Sequence, residues 1–227
     1  MHTFEEFLRE QLEIYVIARE IPHDSYIPID LSLSNIELTD KILSAPAPLA
    51  KYINDYLSRN IAMAAYGGYD EVRNLYRRSE IFTDGVSDER NIHIGLDIWT
   101  NAGTKVLAAM DGTIHSFDFN PGKGNYGPTI ILEHNILNHK FFTLYGHLSL
   151  EDIENIELGD EVKQGQTIGS LGDESVNGDY PPHLHFQIIK DIADYFGDYP
   201  GVCSSGERDF FLDNCPNPNL LLKINTL

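Results

Sequence analysis

Apolar and polar positions change rhythm near residue 66. At the start of the chain Phe4, Leu8, Leu12 and Tyr15 return at helical intervals behind Thr3-x-x-Glu6, the spacing of a capping box. This predicts an amphipathic helix running to about residue 18. Pro22 and Pro28 bracket a break, and Thr39 or Asp40 opens a short turn before Pro46 and Pro48. Leu49 to Ala64 then reads as a second helix, with Ile53, Tyr56, Leu57, Ile61 and Ala64 on one side, stopped by Gly67-Gly68.

Beyond that point helical spacing gives way to short apolar runs separated by turn pairs such as Asp84-Gly85, Asp111-Gly112 and Asn177-Gly178. The shift sets the expected organisation: a helical accessory region over residues 1–66 and a β domain over 67–227. The helical part is expected to pack on the β core. The tail from Asp191 onward, with Pro200, Pro216 and Pro218, is expected to wrap that core in irregular structure. In the segment from Tyr69 to Ile81, Arg73, Arg77 and Arg78 read as a solvated helix face.

Three strings in the β-rich part carry chemistry: His93-Ile94-Gly95-Leu96-Asp97, Tyr145-Gly146-His147-Leu148 and His183-Leu184-His185-Phe186. Imidazole nitrogen and carboxylate oxygen suit Zn²⁺, and a catalytic zinc site uses three protein ligands so that water can hold a fourth position. Side chains on a strand alternate faces, so His183 and His185 share one, as do His93, Gly95 and Asp97. Gly95 adds no bulk between the two heads that flank it. Helical spacing would also align His93 with Asp97, but Ile94, Leu96, Ile98 and Trp99 favour strand.

These strings, in this order, resemble the lysostaphin-type (LytM-like) zinc metallopeptidases, over about His93 to Gln187, with weaker similarity back to Gly67 and on to Leu222. The phrases from Gly103 to Ile114 and from Gly159 to Gly169 resemble the half-barrel repeats of that fold. The resemblance implies a mainly β fold: an antiparallel sheet core of the duplicated-hybrid, barrel-sandwich-related kind with a helical N-terminal addition. It further implies one zinc ion held by His93, Asp97 and His185, with His147 and His183 as catalytic histidines. The chain departs from the family at Tyr180-Pro181-Pro182, where a Thr-Gly-Pro lead is usual, and at Gln187, where Glu is usual. It looks similar to a divergent branch found inside larger proteins between kinase-like and aminotransferase-like parts.

The expected activity is zinc-dependent hydrolysis of peptide (amide) bonds, with a glycine- or D-alanine-containing peptide of the peptidoglycan type as substrate. No His-Glu-x-x-His string is present, so the proton work falls to histidine rather than to a glutamate base. A noncatalytic zinc-bearing interaction module and a processing component of a metabolic enzyme system are the alternatives. A biotinyl or lipoyl carrier would need a lysine on its hairpin, and Asp111-Gly112 follows Met110 with none beside it. Tyr145 is expected in the core and Tyr126 in a solvated loop. His2, His23, His115, His134 and His139 read as surface or hydrogen-bonded residues, and the strand-like run that His134 ends passes near the site in the family.

Composition narrows the partners. The 227 residues are 42% hydrophobic, enough for a sizeable core, and 35 acidic against 16 basic side chains give a formal charge of -19. Such a charge opposes binding to nucleic acid or to anionic membrane surfaces. The segment Met1 to Leu8 lacks the basic start and apolar run of a secretory signal, and no stretch reaches the roughly 20 apolar residues of a membrane span. The expectation is therefore a cytoplasmic protein in which Cys203 and Cys215 stay free thiols. The oligomeric state is not legible in the sequence.

Overall fold

The structure, a computed structural model, describes residues 3–79, 82 and 89–224. His2, Ile81 and the expected Asp84-Gly85 turn lie outside the described residues. The fold is mainly β. Its strands are β1 (Tyr26–Pro28), β2 (Ala64–Gly67), β3 (Glu71–Val72), β4 (Ile92–His93), β5 (Leu96–Trp99), β6 (Lys105–Leu107), β7 (Gly112–Asn120), β8 (Gly127–Ile136), β9 (His139–Gly146), β10 (Glu161–Val162), β11 (Thr167–Ser170), β12 (His183–Ile189) and β13 (Val202–Cys203). An eight-stranded sheet runs in the order β1-β2-β5-β12-β9-β8-β7-β10, antiparallel except for the β1–β2 pair. A two-stranded sheet (β11-β6) and a three-stranded sheet (β13-β4-β3) complete it.

Period-two alternation is clean through the middle of the large sheet. On β12, Leu184, Phe186 and Ile188 enter one apolar cluster with Tyr145, Phe141, Ile130 and Leu132. On the opposite face, Phe142, Leu144, Ile131 and Ile189 enter a second cluster, and Trp99 of β5 enters a third with Leu49, Ile53 and Leu31. Both faces are therefore covered. Burying a side chain such as Phe186, which is 0% exposed, contributes on the order of 2 kcal/mol. His183, His185 and Gln187 alternate with the first cluster's residues, so they fall on the face between the second and third clusters.

The helices are α1 (Phe4–Glu10), α2 (Asp40–Leu43), α3 (Pro46–Asn60), α4 (Arg208–Asn214) and α5 (Asn219–Leu222). The capping box at Thr3 and Glu6 is formed, yet α1 ends at Glu10 rather than near residue 18. The reason is competition from sheet-type bonding: Leu107 donates its N–H to Val16 at 2.9 Å, Ala18 donates to Lys105 at 2.9 Å, and Ile14, Val16 and Ile17 enter the core. Leu12, on the expected apolar stripe, is 85% exposed. Helix α3 starts earlier than expected, with proline at its first turn, and stops at Ile61 in the left-handed conformation. Ala64 consequently opens β2 instead of closing a helix. The tail is more regular than expected, since it holds β13, α4 and α5. Cys203 and Cys215 are free and buried.

Candidate metal and histidine site

Strand register assembles the site. In the β5–β12 ladder His185 lies opposite Asp97 and His183 opposite Trp99, while in the β12–β9 ladder His185 lies opposite Gly146. His147 follows immediately after β9, in the left-handed conformation (φ 67°), its N–H donating to Tyr126 O at 2.9 Å. His93 comes from the three-stranded sheet. The expected continuous strand from His93 to Asp97 is interrupted: β4 ends at His93 and β5 begins at Leu96. Gly95 sits in the break because the His185 ring passes over it, and a Cβ there would lie 2.4 Å from that ring. Gly146 plays the matching part across β12, where a Cβ would lie 2.6 Å from the Tyr126 ring.

His93, Asp97 and His185 each turn one ligand atom toward a common point, all within 4.8 Å of one another. His93 Nε2 lies 2.9 Å from His185 Nδ1, and Asp97 Oδ1 lies 3.2 and 3.3 Å from those two nitrogens. The outer nitrogens define the protonation. His93 Nδ1 is 2.9 Å from Gly68 O, and because a carbonyl only accepts, the proton sits on Nδ1 and leaves Nε2 a lone pair. His185 Nε2 is 2.9 Å from Gln187 Oε1, and the Gln187 amide is oriented by donation from its Nε2 to Pro200 O at 3.1 Å. His185 Nδ1 therefore also presents a lone pair. Among the described residues, Asp97 Oδ1 is buried with no hydrogen-bond donor.

Three acceptors thus converge with no proton between them, and each residue is between 1% and 2% exposed. Buried acceptors in this arrangement repel one another unless a cation joins them. The donor set fits zinc: two imidazole nitrogens and one carboxylate oxygen, separated by nearly the roughly 3.3 Å that tetrahedral ligands about 2.0–2.1 Å from an ion would show. The outer hydrogen bonds to Gly68 O and Gln187 Oε1 are of the kind that orient metal-bound histidines.

His147 and His183 face the same cavity. Each donates Nδ1–H to a backbone carbonyl at 2.8 Å, His147 to Asn177 O and His183 to Pro181 O, so each keeps a lone pair on Nε2. Their ring centroids are 4.1 Å apart, and His183 Nε2 is 3.9 Å from Asp97 Oδ1. Trp99 stacks on His183 at 3.9 Å and 16°, as their cross-strand pairing dictates. Burial pushes His183 down to about 4 and, with His183 and His185 beside it, pushes His147 well below its ordinary value. Burial likewise pushes His93 down to about 4, against the pull of Asp97. For Asp97, burial alone would raise the pKa, but His93 and Arg73 hold the carboxyl well below the usual range.

Several residues around the cluster differ from expectation. Arg73 is 2% exposed rather than solvated, and its Nη1 donates to Asp97 Oδ2 at 2.5 Å. Tyr126 is 8% exposed rather than in a solvated loop, with its hydroxyl 3.4 Å from His185 Nε2. Tyr145 is in the core as expected, its hydroxyl accepting from Ala109 N–H at 2.9 Å. Together with Tyr76, Tyr180 and Trp99, Tyr126 walls the cavity in aromatic rings. His134 lies outside the cluster, with its nitrogens 2.9 Å from Asp111 O and 2.7 Å from Thr143 Oγ1. No helix of the described residues is long and apolar enough to cross a membrane.

Residues 91–195 match the model of Peptidase family M23. The peptidoglycan DD-endopeptidase ShyC of Vibrio cholerae is 34% identical over 105 residues, which is 46% of this chain and 22% of that protein. The glycyl-glycine endopeptidase ALE-1 of Staphylococcus capitis is 42% identical over 96 residues, 42% of this chain and 24% of that protein. This chain therefore spans less than a quarter of the length of either relative. The catalytic domain of lysostaphin from Staphylococcus simulans, a solved structure, is 24% identical with a TM-score of 0.42, covering 71% of this chain and 96% of that domain. The stretch that carries His93, Asp97, His147, His183 and His185 is the one that matches the Peptidase family M23 model.

Proposed function

We propose that this chain is a zinc-dependent endopeptidase in which His93 Nε2, Asp97 Oδ1 and His185 Nδ1 hold the metal and His147 and His183 move protons. The observation that carries the reading is the convergence of two imidazole lone pairs with a buried carboxylate oxygen that lacks a hydrogen-bond donor, beside two further imidazole lone pairs. The endopeptidase names of the similar proteins point the same way. Residues 67–227 form the peptidase part in this reading, and residues 1–66 are an accessory that supplies the edge strand β1 and most of β2, which pairs with β5.

Zinc in such a site supplies Lewis acidity toward a carbonyl and acidifies water to a pKa of about 7. The rest of the chemistry belongs to the chain. Burial keeps His147 and His183 unprotonated at neutral pH, so Nε2 of either ring can take a proton from water and return it to the departing amine. Carbonyl bonds at both Nδ1 atoms fix the tautomer that this requires. Once protonated, either ring can stabilise the negative oxygen of the tetrahedral intermediate. The aromatic walls and the low exposure of all five site residues, at most 4%, favour a slim substrate. A peptide bond flanked by glycine or D-alanine, as in peptidoglycan cross-links, meets that demand.

The test is cleavage of short glycine- and D-alanine-containing peptides by the purified full chain, stripped with chelator and then reloaded with zinc. Cleavage that disappears and returns supports the reading. Stoichiometric zinc binding without cleavage across such a panel would leave a noncatalytic zinc-bearing module.

A further inference from the structure

Asp97 offers Oδ1 to the ligand cluster while its other oxygen is taken by Arg73, a guanidinium with almost no solvent exposure. A cation beside a dication site is electrostatically unhelpful, so its presence there calls for another explanation. Arg73 Nε donates to Glu71 Oε2 at 2.5 Å, and the Glu71–Arg73 pair adds N–H donors to the site without adding net charge. What the pair contributes is direction. The rigid guanidinium fork bridges two carboxylates and fixes which Asp97 oxygen faces the cluster.

The placement follows from register. Glu71 lies opposite His93 in the β3–β4 ladder, and Arg73, two residues on, continues the same side with its N–H donating to Asn91 O at 2.9 Å. The support extends outward into the N-terminal part of the chain. Leu31 donates its N–H to Glu71 Oε1 at 3.1 Å, and Leu33 donates to Val72 O at 3.0 Å. A continuous set of hydrogen bonds therefore runs from the backbone at Leu31 through Glu71 and Arg73 to Asp97 Oδ2.

We propose that Arg73, buttressed by Glu71 and the Leu31 backbone, is a positioning residue that confines Asp97 to one-oxygen ligation through Oδ1 and so keeps a coordination position open. The inference rests on the metal-site reading above. Without Arg73 the carboxylate is free to turn both oxygens toward the metal or to swing away from it.

The experiment measures zinc affinity, by competition with a chromophoric chelator, and the visible spectrum of the cobalt-substituted protein, for the full chain and for Arg73→Met, Arg73→Lys and Glu71→Gln. Circular dichroism establishes that each variant is folded. Loss of an outer-shell partner is expected to weaken zinc binding about 10- to 100-fold in Arg73→Met. Its cobalt bands are expected to weaken as four-coordination gives way to higher coordination. Arg73→Lys keeps the charge but cannot bridge both carboxylates as a fork, so it is expected to shift the spectrum part of the way; Glu71→Gln is expected to change affinity least. Affinity within about twofold of the parent chain and an unchanged cobalt spectrum in folded Arg73→Met would overturn the proposal. Should that variant fail to fold, the same result in Arg73→Lys overturns it equally. A parent chain that binds no zinc defeats the metal reading itself, an outcome distinct from a parent that binds zinc beside variants that bind it identically.

Discussion

His134 and His185 are both histidines buried in the large sheet, 0% and 2% exposed, yet one is complete and the other is not. His134 has an acceptor at Asp111 O and a hydroxyl at Thr143, which in turn meets the Tyr145 hydroxyl 3.1 Å away. His185 has a partner for one nitrogen only, and the other faces a second lone pair and an undonated carboxylate oxygen. Burial is therefore not what distinguishes a site from a core. The distinguishing feature is an acceptor set that the protein leaves unbalanced, since a polar group left unmatched in the interior costs about 1–3 kcal/mol.

The strongest way to break this comparison is to remove members from each side. Asp97→Ala and His185→Ala are expected to abolish stoichiometric zinc and peptide cleavage together. His134→Ala is expected to retain both while losing stability. Metal analysis of the three purified proteins decides it, and equal zinc content in all three would erase the distinction.

A second cut lies within the site. His147→Ala and His183→Ala leave the three converging atoms in place, so zinc content is expected to hold while kcat falls by about 10²- to 10⁴-fold, the usual contribution of a positioned acid or base. Loss of zinc from either variant, measured on the same samples, would move that histidine into the ligand set.

How far the sequence anticipates this depends on whether the signal is local. Period two alone aligns His183 with His185, and the observed ladder adds Asp97 opposite His185. The close approach at Gly95 is legible as an absence of bulk between two candidate ligands. Tyr126 and Arg73 are not legible, because their environments come from other parts of the chain: Tyr126 fills the room left by Gly146, and Arg73 is enclosed by Glu71, Tyr76 and Asp97. Arginine in a polar stretch ordinarily faces water, and nothing nearby in sequence marks the carboxylate 24 positions on. Gln187 gave a usable signal, since it lies two residues after His185 and hence on the same face of β12. The overextended first helix failed for a related reason: helical periodicity in residues 11–18 is real but loses to the bonds made with β6.

The complete histidine makes its own prediction in acid. Burial pushes His134 down to about 4 from an ordinary 6.5, so between those values the unfolded chain binds the proton and the folded one does not. Stability from this residue is fully present above pH 6.5 and declines as pH falls toward 4, by about 3 kcal/mol in all. His134→Gln should flatten the profile of unfolding free energy over that window relative to the parent chain. The difference should be the same with and without zinc, because His134 has no part in the cluster. A parent–variant difference that appears only in the zinc-loaded protein would tie His134 to the site after all.

Trp99 gives the smallest effect and a contest of signs. Its indole stacks on His183, and among the described residues its Nε1–H is buried without an acceptor. In Trp99→Phe an aromatic face remains over the imidazole, an unmatched donor is removed, and a smaller ring leaves a void. Stacked aromatic pairs contribute about 0.5–1.5 kcal/mol beyond area burial, so partial loss of the stack is expected to lower kcat by no more than about tenfold. The void and the relieved donor act in opposite directions on stability, and the net shift is expected to be smaller than for a ring deletion such as Trp99→Ala. Zinc content should not change. Steady-state kinetics and thermal unfolding on the two variants separate the contributions: equal losses of kcat in Phe and Ala would mean that the stack does not position His183, and that the unmatched indole N–H is the feature the site uses.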